Sequence, residues 1–278
     1  MRWRGRRGSS NVEDRRGIPV KGAVGGGVGV LVIAVVAMLF GVDPSVVLQS
    51  TGAGGGTGGS QEAGEMGVPD DEGGRFASVV LADTEETWNR VFAASGSDYP
   101  EPTLVLFEGA VASACGTASS AVGPFYCPRD GQVYVDLGFF QELRRRFGAA
   151  GDFAQAYVIA HEVVHHVQNI TGTMESFRGY QASGPGSSAV RMELQADCYA
   201  GVWAHDQGER RLLEPGDLEE ALNAAAAIGD DAIQRRTQGT VVPESFTHGT
   251  SEQRARWFRA GYESGDPARC DTFSARSL

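Results

Sequence analysis

The chain has 278 residues, of which 41% are hydrophobic, and this suits one substantial domain with accessory segments and excludes a disordered protein. Residues 1–42 hold seven basic and two acidic side chains, a balance of +5, so the total charge of −11 leaves −16 for residues 43–278. Because an acidic surface repels phosphate backbones, the sequence predicts no nucleic-acid partner.

Residues 23–42, "AVGGGVGVLVIAVVAMLFGV", contain no charged side chain over a length that lets a helix cross a bilayer. They predict one transmembrane helix. A cleaved signal peptide is the alternative, but the long basic region before the span and the lack of a clear small-x-small cleavage site favour an anchor. The basic flank places residues 1–22 in the cytoplasm and the remaining chain outside it. The sequence thus predicts a single-pass protein of the cell membrane.

A flexible linker is predicted for residues 43–74, which are rich in glycine and acidic residues and poor in apolar ones. Such a segment buries too little surface to offset its ordering entropy. Residues 75–278 are predicted to form one folded domain. Its first helix is expected over residues 83–94, with Asp83 or Thr84 as the cap.

Short strands and longer helices alternate through the rest of the chain, which indicates an α+β fold. Strands are predicted at residues 103–107 and 132–137. The next helices are expected over residues 139–147, 152–170 with Asp152 as its cap, 188–205 and 217–229, and after a capping box formed by Thr250 and Gln253. Residues 171–187 read as a loop crossing the front of the domain, and their glycine content alone does not establish a moving lid.

Four cysteines follow the predicted span, in a region that the predicted topology places in an oxidising compartment. They allow three pairings. The short interval between Cys115 and Cys127, with turn residues between them, favours a local bridge and leaves Cys198 to pair with Cys270. Four buried free thiols are the alternative. A cysteine zinc site is disfavoured, because no spacing resembles C-x-x-C.

The segment "AHEVVHHVQN", residues 160–169, contains the pattern H-E-x-x-H. His161 and His165 lie one helical turn apart on one face, so both can bind one tetrahedral zinc ion. Glu162 can reach a water molecule on that metal as a general base. His166 points about 100° away from His165 and is assigned to packing or to support of the site. A helix face without metal is the alternative, but the apolar run before the motif predicts burial, in which these groups need a partner.

A catalytic zinc site needs a third protein ligand and keeps its fourth position open for water. In "RMELQADCYAGVWA", residues 191–204, Glu193 and Asp197 again lie four apart on one helical face. The sequence predicts Glu193 as the ligand and Asp197 as the hydrogen-bond partner of the far nitrogen of a liganding histidine, which fixes the orientation of the ring. Two solvated carboxylates are the alternative, which the mostly apolar residues around them disfavour.

With these motifs the sequence resembles the bacterial family described as putative neutral zinc metallopeptidases. The resemblance is carried by "YVIAHEVVHHVQN" and "RMELQADCYAGVWA", and by "MRWRGRRGSSNVEDRRG", "FGVDPS", "ACGTASSAVGPFYCPRDGQVYVDLGFF" and "HGTSEQRARWFRAGYESGDPARCDTF". It covers nearly the whole chain except the linker. One departure is Val164, where such helices often have glycine, and this change removes no chemical group.

The E-L-Q-A-D stretch is also similar to the E-x-x-A-D signature of gluzincins. This similarity implies a zincin-like fold, mostly helical with a small sheet, in which the active-site helix packs under the sheet and an edge strand holds the peptide. Residues 132–137 are the candidate edge strand. The similarity further implies that His248 lies near the transition state, whereas a polar residue just before a helix cap is the alternative.

The resulting prediction is a membrane-anchored zinc endopeptidase that acts on peptide or protein substrates, with Zn²⁺ as its cofactor. Glu162 would take a proton from the attacking water and pass it to the leaving amine, and zinc together with His248, Tyr134 or Tyr180 would stabilise the oxyanion. Two other functions stay open: a non-catalytic, zinc-stabilised peptide-binding module, and a scaffold that binds no metal. Glu162 disfavours the module, because a structural zinc site needs no base.

Overall fold

The computed structural model describes residues 1–20, 61–147, 151–177 and 182–278, which form seven strands and eight α-helices. The strands are β1 (Val12–Asp14), β2 (Glu65–Met66), β3 (Thr103–Phe107), β4 (Ala110–Ser113), β5 (Gly116–Ser119), β6 (Phe125–Cys127) and β7 (Gln132–Asp136). The helices are α1 (Glu72–Ala94), α2 (Gly138–Phe147), α3 (Asp152–Ile170), α4 (Thr173–Ser176), α5 (Ser188–Glu209), α6 (Asp217–Ala227), α7 (Asp230–Thr237) and α8 (Ser251–Ser264). The predicted α+β class, mostly helical with a small sheet, agrees with this architecture.

Five strands form one sheet in the order β2-β1-β3-β7-β6. Strands β1, β3 and β7 are parallel, and β2 and β6 pair antiparallel at the two edges. The central strands β3 and β7 are short runs of Leu, Val, Phe and Tyr that are mostly buried, as strands covered on both faces require. The predicted edge strand, residues 132–137, is therefore wrong: β7 lies between β3 and β6, and β6 is the strand at that edge.

The helices pack around α3, whose side chains are buried along nearly its whole length. Helix α8 lies directly against α5, because glycines face each other where the two backbones approach. A Cβ atom at Gly201 would lie 2.0 Å from the carbonyl oxygen of Phe258, and one at Gly261 would lie 1.8 Å from that of Cys198. This close approach brings the buried side of α8 to the face of α5 that carries Asp197.

Two predicted helix caps are wrong. Helix α1 starts at Glu72, where the side chain of Asp71 accepts a hydrogen bond from the N–H of Gly74, and Asp83 lies buried inside the helix. Part of the predicted linker therefore belongs to α1 and β2. Asp152 is the first residue of α3 instead of its cap, and its carboxylate lies 2.6 Å from the α-amino nitrogen of Met1. The predicted capping box of Thr250 and Gln253 is confirmed at α8.

Both predicted disulfides are confirmed. The bond between Cys115 and Cys127 joins the β4–β5 hairpin to β6. The bond between Cys198 and Cys270 fixes the segment after α8 onto α5. The pattern of cysteine intervals was thus sufficient to choose the pairing.

The N-terminal segment, residues 1–20, packs on the same body as the predicted catalytic domain. Trp3 is buried in the main core and packs edge-on against Phe76 of α1, with ring centroids 5.3 Å apart. Strand β1 pairs with β3 in the centre of the sheet, with Val12 opposite Leu104. A single crossing would put residues 1–22 and 75–278 on opposite sides of a membrane. Because these two parts share one sheet and one core, the predicted cytoplasmic N-terminus with an extracytoplasmic domain is wrong.

The predicted transmembrane helix is corrected as well. Residues 23–42 lie outside the described residues, and within the described ranges no helix combines the length and the apolar character needed to span a bilayer. The prediction of a single-pass membrane protein is therefore not supported.

Candidate metal centre

Helices α3 and α5 bring three predicted ligands together. Nε2 of His161 lies 3.1 Å from Oε2 of Glu193, and Nε2 of His165 lies 3.6 Å from Oε1 of the same carboxylate. All three ligand atoms lie within 4.8 Å of one another. Residues four apart on α3 supply the two imidazoles, and the neighbouring helix supplies the carboxylate.

The arrangement fits a zinc ion. Tetrahedral ligands at about 2.0–2.1 Å from zinc lie about 3.3 Å from one another, close to the two separations given above. Two imidazoles and one carboxylate are donors that zinc prefers, and both histidines present Nε2 to the cluster. The side chains of His161 and Glu193 are only 7% and 19% exposed, so a cation between them would be shielded from bulk solvent.

A buried charge network supports His161. Its Nδ1 lies 3.0 Å from Oδ1 of Asp197, close enough for an ion pair but not aligned for a hydrogen bond. Arg254 of α8 binds both oxygens of Asp197, through Nε at 2.9 Å and Nη2 at 3.0 Å. The hydroxyl of Tyr157 donates a hydrogen bond to Oδ1 of the same carboxylate. Asp197 therefore lies at the far nitrogen of a candidate ligand as an ion-pair partner, without the predicted hydrogen bond, and Arg254 balances its buried charge.

A different group supports His165. Its Nδ1 lies 2.9 Å from Oε1 of Gln168, one turn further along α3. The amide nitrogen of Gln168 donates to the carbonyl oxygen of Met192 at 2.8 Å, which fixes the amide orientation. Since Oε1 can only accept, Nδ1 of His165 carries the hydrogen and Nε2 keeps its lone pair for a metal.

The electrostatics of the cluster favour positive charge between the three side chains. Burial by itself lowers the pKa of His161, but Asp197 and Glu193 outweigh it and raise the value to about 10. Burial raises the pKa of Glu193, yet His165, His248 and His161 hold it well below its usual value. The carboxylate therefore stays ionised, and the imidazoles lie where a cation is stabilised.

The cluster opens into a cavity of about 910 Å³, a size typical of ligand sites. Glu162 lies on its wall together with the three candidate ligands. Phe125 and Tyr126 of the edge strand β6 line the same cavity. The predicted base, the candidate metal ligands and a sheet edge thus share one cavity.

His248 also lines this cavity, although it is far from the H-E-x-x-H motif in the sequence. Asp230, at the start of α7, holds the loop that carries it: one carboxylate oxygen accepts from the backbone N–H groups of Thr247, His248 and Gly249 at 2.7, 2.7 and 3.0 Å. The other oxygen lies 3.3 Å from Nδ1 of His248. Burial opposes protonation, but Glu193 and Asp230 raise the pKa of His248, and solvent screens this effect because the side chain is 50% exposed.

The other sequence candidates lie elsewhere. Tyr134 is buried in a separate cluster, with its hydroxyl bound to Asp130 and Gln132, and it is not among the described residues that line the cavity. Tyr180 lies outside the described residues. His166 is buried on another face of α3, as its position beside His165 predicted.

Sequence reasoning missed four residues that hold the site. Tyr157 and Gln168 had a usable signal, since each is a polar-tipped side chain three or four positions from a candidate ligand on α3. Arg254 and Asp230 had none, because each reaches the site from a helix distant in sequence.

The chain is similar to proteins of known sequence along nearly its full length. Residues 1–273 match the family described as "Putative neutral zinc metallopeptidase". "Uncharacterized protein YpfJ" of Escherichia coli (strain K12) is 49% identical, with 98% of this chain and 99% of that protein covered. "Uncharacterized protein Rv2575" of Mycobacterium tuberculosis (strain H37Rv) is 47% identical, with 73% of each covered. No solved structure gives a significant match, so the zincin-like fold stays a prediction.

Proposed function

The chain belongs to the family described as "Putative neutral zinc metallopeptidase", and from this premise we propose that it is a zinc-dependent endopeptidase. The observation that carries the proposal is the cluster of His161, His165 and Glu193, with Glu162 beside it on the wall of one cavity. Its donor set matches catalytic zinc sites, which use three protein ligands and keep one position open.

The zinc ion would be held by His161, His165 and Glu193. When bound, zinc lowers the pKa of water toward neutrality and polarises a carbonyl group. Glu162 accepts the proton of the attacking water and donates it to the leaving amine as the peptide bond breaks. His248, on the cavity wall, donates a hydrogen bond to the oxygen that becomes negative in the transition state.

Edge strand β6 is the proposed binding site for the peptide. Among the described strands it pairs with β7 alone, and Phe125 and Tyr126 line the cavity that contains the candidate ligands. An extended peptide can add to such an edge as a further strand and present its backbone to the metal. Arg254, the arginine among the described residues that line the cavity, is occupied by Asp197, Tyr157 and the carbonyl oxygen of Ile228. With its guanidinium bound to the protein, it does not offer a site for a C-terminal carboxylate, which favours internal cleavage.

Zinc content and proteolysis of the full-length chain test this proposal together. We expect about one zinc per chain and hydrolysis of unfolded β-casein, and loss of both in Glu193→Ala. Glu209→Ala is the matched control, because it removes an exposed glutamate from the same helix. Zinc bound without hydrolysis would identify a non-catalytic peptide-binding module. Purified protein that binds no added zinc would refute the metal centre.

A further inference from the structure

His166 has two hydrogen-bond partners that the proposed reaction does not use. Its Nε2 lies 2.6 Å from the carbonyl oxygen of Pro100, and its Nδ1 lies 3.1 Å from the hydroxyl oxygen of Tyr126. A carbonyl oxygen can only accept, so Nε2 carries the hydrogen. In a neutral imidazole the other ring nitrogen, Nδ1, then keeps its lone pair. Nδ1 therefore accepts the hydrogen bond that the Tyr126 hydroxyl donates.

Tyr126 connects this histidine to the substrate side of the cavity. It lies in β6 and lines the cavity, and its hydroxyl also accepts a hydrogen bond of 2.8 Å from the amide of Asn169. His166 and Asn169 are three residues apart on α3, so one face of the helix holds the tyrosine at two points. The aromatic rings of Tyr126 and His166 also meet edge to face, with centroids 5.7 Å apart.

The turn after β6 is held by the same helix face. The His166 ring lies against Gly131, where an added Cβ would be 4.0 Å from its Nδ1. Asn169 reaches the carbonyl oxygen of Pro128 at 3.4 Å. Strand β6 has three residues, and among the described strands it pairs with β7 alone. Its position relative to α3 therefore depends on these contacts as well as on the sheet.

We propose that His166, acting through Tyr126, is a positioning residue that sets the distance between edge strand β6 and the metal ligands on α3. The inference rests on the proposed peptidase function, since β6 is the proposed peptide-binding edge. His166 directly follows the candidate ligand His165, so one helical segment fixes both the metal and the strand beside it. Small displacements of a bound substrate from the reacting groups reduce catalysis strongly. Loss of the hydrogen bond between Tyr126 and His166 shifts strand β6 and weakens productive peptide binding, while the metal ligands stay in place.

Steady-state kinetics of full-length Tyr126→Phe, His166→Ala and the double variant test this role with a β-casein peptide that the wild type cleaves. One lost hydrogen bond corresponds to about a three- to tenfold rise in KM, with kcat and zinc content near wild type. The double variant is expected to resemble His166→Ala, because both changes remove the same contact. His205→Ala is the matched control: it removes a histidine bond to a backbone carbonyl, at 2.7 Å from Tyr262, outside the cavity lining.

Unchanged KM in both single variants overturns the inference, as does an equal rise in His205→Ala. Amide hydrogen exchange of Phe125–Cys127 tests the Tyr126–His166 contact without relying on catalysis. For both single variants we expect exchange to be faster in these residues than in β3. If Phe125–Cys127 exchange at the wild-type rate in both variants, the positioning role of His166 is overturned, even if the wild type hydrolyses peptides. A wild type that binds zinc but cleaves nothing instead overturns the proposed function, and the positioning role falls with it.

Discussion

Glu162 illustrates how a single side chain separates the possible functions. It follows the candidate ligand His161 in the sequence and lies on the cavity wall. A structural zinc site does not need a carboxylate at this position, whereas a catalytic site needs a general base. A general base contributes about 10²–10⁴-fold to rate.

Glu162→Gln is therefore expected to lower kcat by at least about 10²-fold while zinc content stays at the wild-type level, because glutamine keeps the shape but cannot take the proton. Peptide cleavage and zinc analysis on the same preparation measure both quantities. Glu209→Ala serves again as the control. A Gln variant with full activity would falsify the general-base assignment.

Asp197 is the residue on which the buried network converges. It contacts Arg254, Tyr157 and Nδ1 of His161, and it is fully buried. Arg254 is only 2% exposed, so removal of the charge on Asp197 leaves a buried guanidinium without its paired carboxylate. A broken buried pair typically costs about 3–5 kcal/mol.

For Asp197→Asn we expect a free energy of unfolding lower by about 3 kcal/mol and a zinc affinity lower by about 10- to 100-fold. Urea unfolding and competition with a chromophoric chelator measure these effects. Asp98→Asn, on an exposed loop, is the control. Wild-type zinc affinity in Asp197→Asn would show that the carboxylate does not support His161.

At the scale of elements, local patterns placed most helices but not their starts. Helix α1 begins at Glu72, well before the predicted residue 83. The predicted start is late because "GG" and the acidic residues before it resemble a linker. The following run, Phe76 to Leu81, is buried on every face, and all of it except Ser78 belongs to the main core. Periodicity is lost when a helix is buried all round, so the amphipathic signal fails there.

The cap of α1 gives a prediction about acid stability. Arg16 binds Asp71 and Asp14, and its hydrogen bond lowers the pKa of Asp71 to about 2. A lowered native pKa stabilises the fold above the unfolded value near 4, and this stability is lost as the pH falls toward 2. Asp71 is about half exposed, so the contribution is at most about 1 kcal/mol.

Asp71→Asn is expected to lower the free energy of unfolding by up to about 1 kcal/mol at pH 7, and the difference from wild type should shrink as the pH falls from 4 to 2. Asparagine keeps the helix cap, so the change isolates the ion pair. Urea titrations of both proteins between pH 7 and pH 2 measure this difference in the free energy of unfolding. A difference that stays constant with pH would contradict the assignment.

At the scale of the whole molecule, the N-terminal segment is part of the folded body. Met1, Trp3 and Val12 belong to the main core, and β1 fills a central place in the sheet. Truncation of one buried tryptophan costs about 3–5 kcal/mol, a large part of the 5–15 kcal/mol that stabilises a typical domain.

A chain lacking residues 1–20 is accordingly expected to lose cooperative thermal unfolding, and Trp3→Ala to lower the Tm by several degrees. Circular dichroism during heating measures both. Arg7→Ala is the control, because its ion pair with Glu86 is exposed and contributes little. A truncated chain that melts like the full one would show that residues 1–20 are dispensable.

The sequence by itself determined what short intervals encode: the histidines and glutamate of one helix turn, the Glu193 and Asp197 pair, the α+β class and both disulfides. Each depends on residues close together in the chain or on a small set of pairings. The tertiary structure alone decided the strand order, the edge at β6, the place of residues 1–20 and the contact of Arg254 with Asp197. These depend on packing between segments distant in sequence, where many arrangements satisfy the same local pattern and only the whole core selects one.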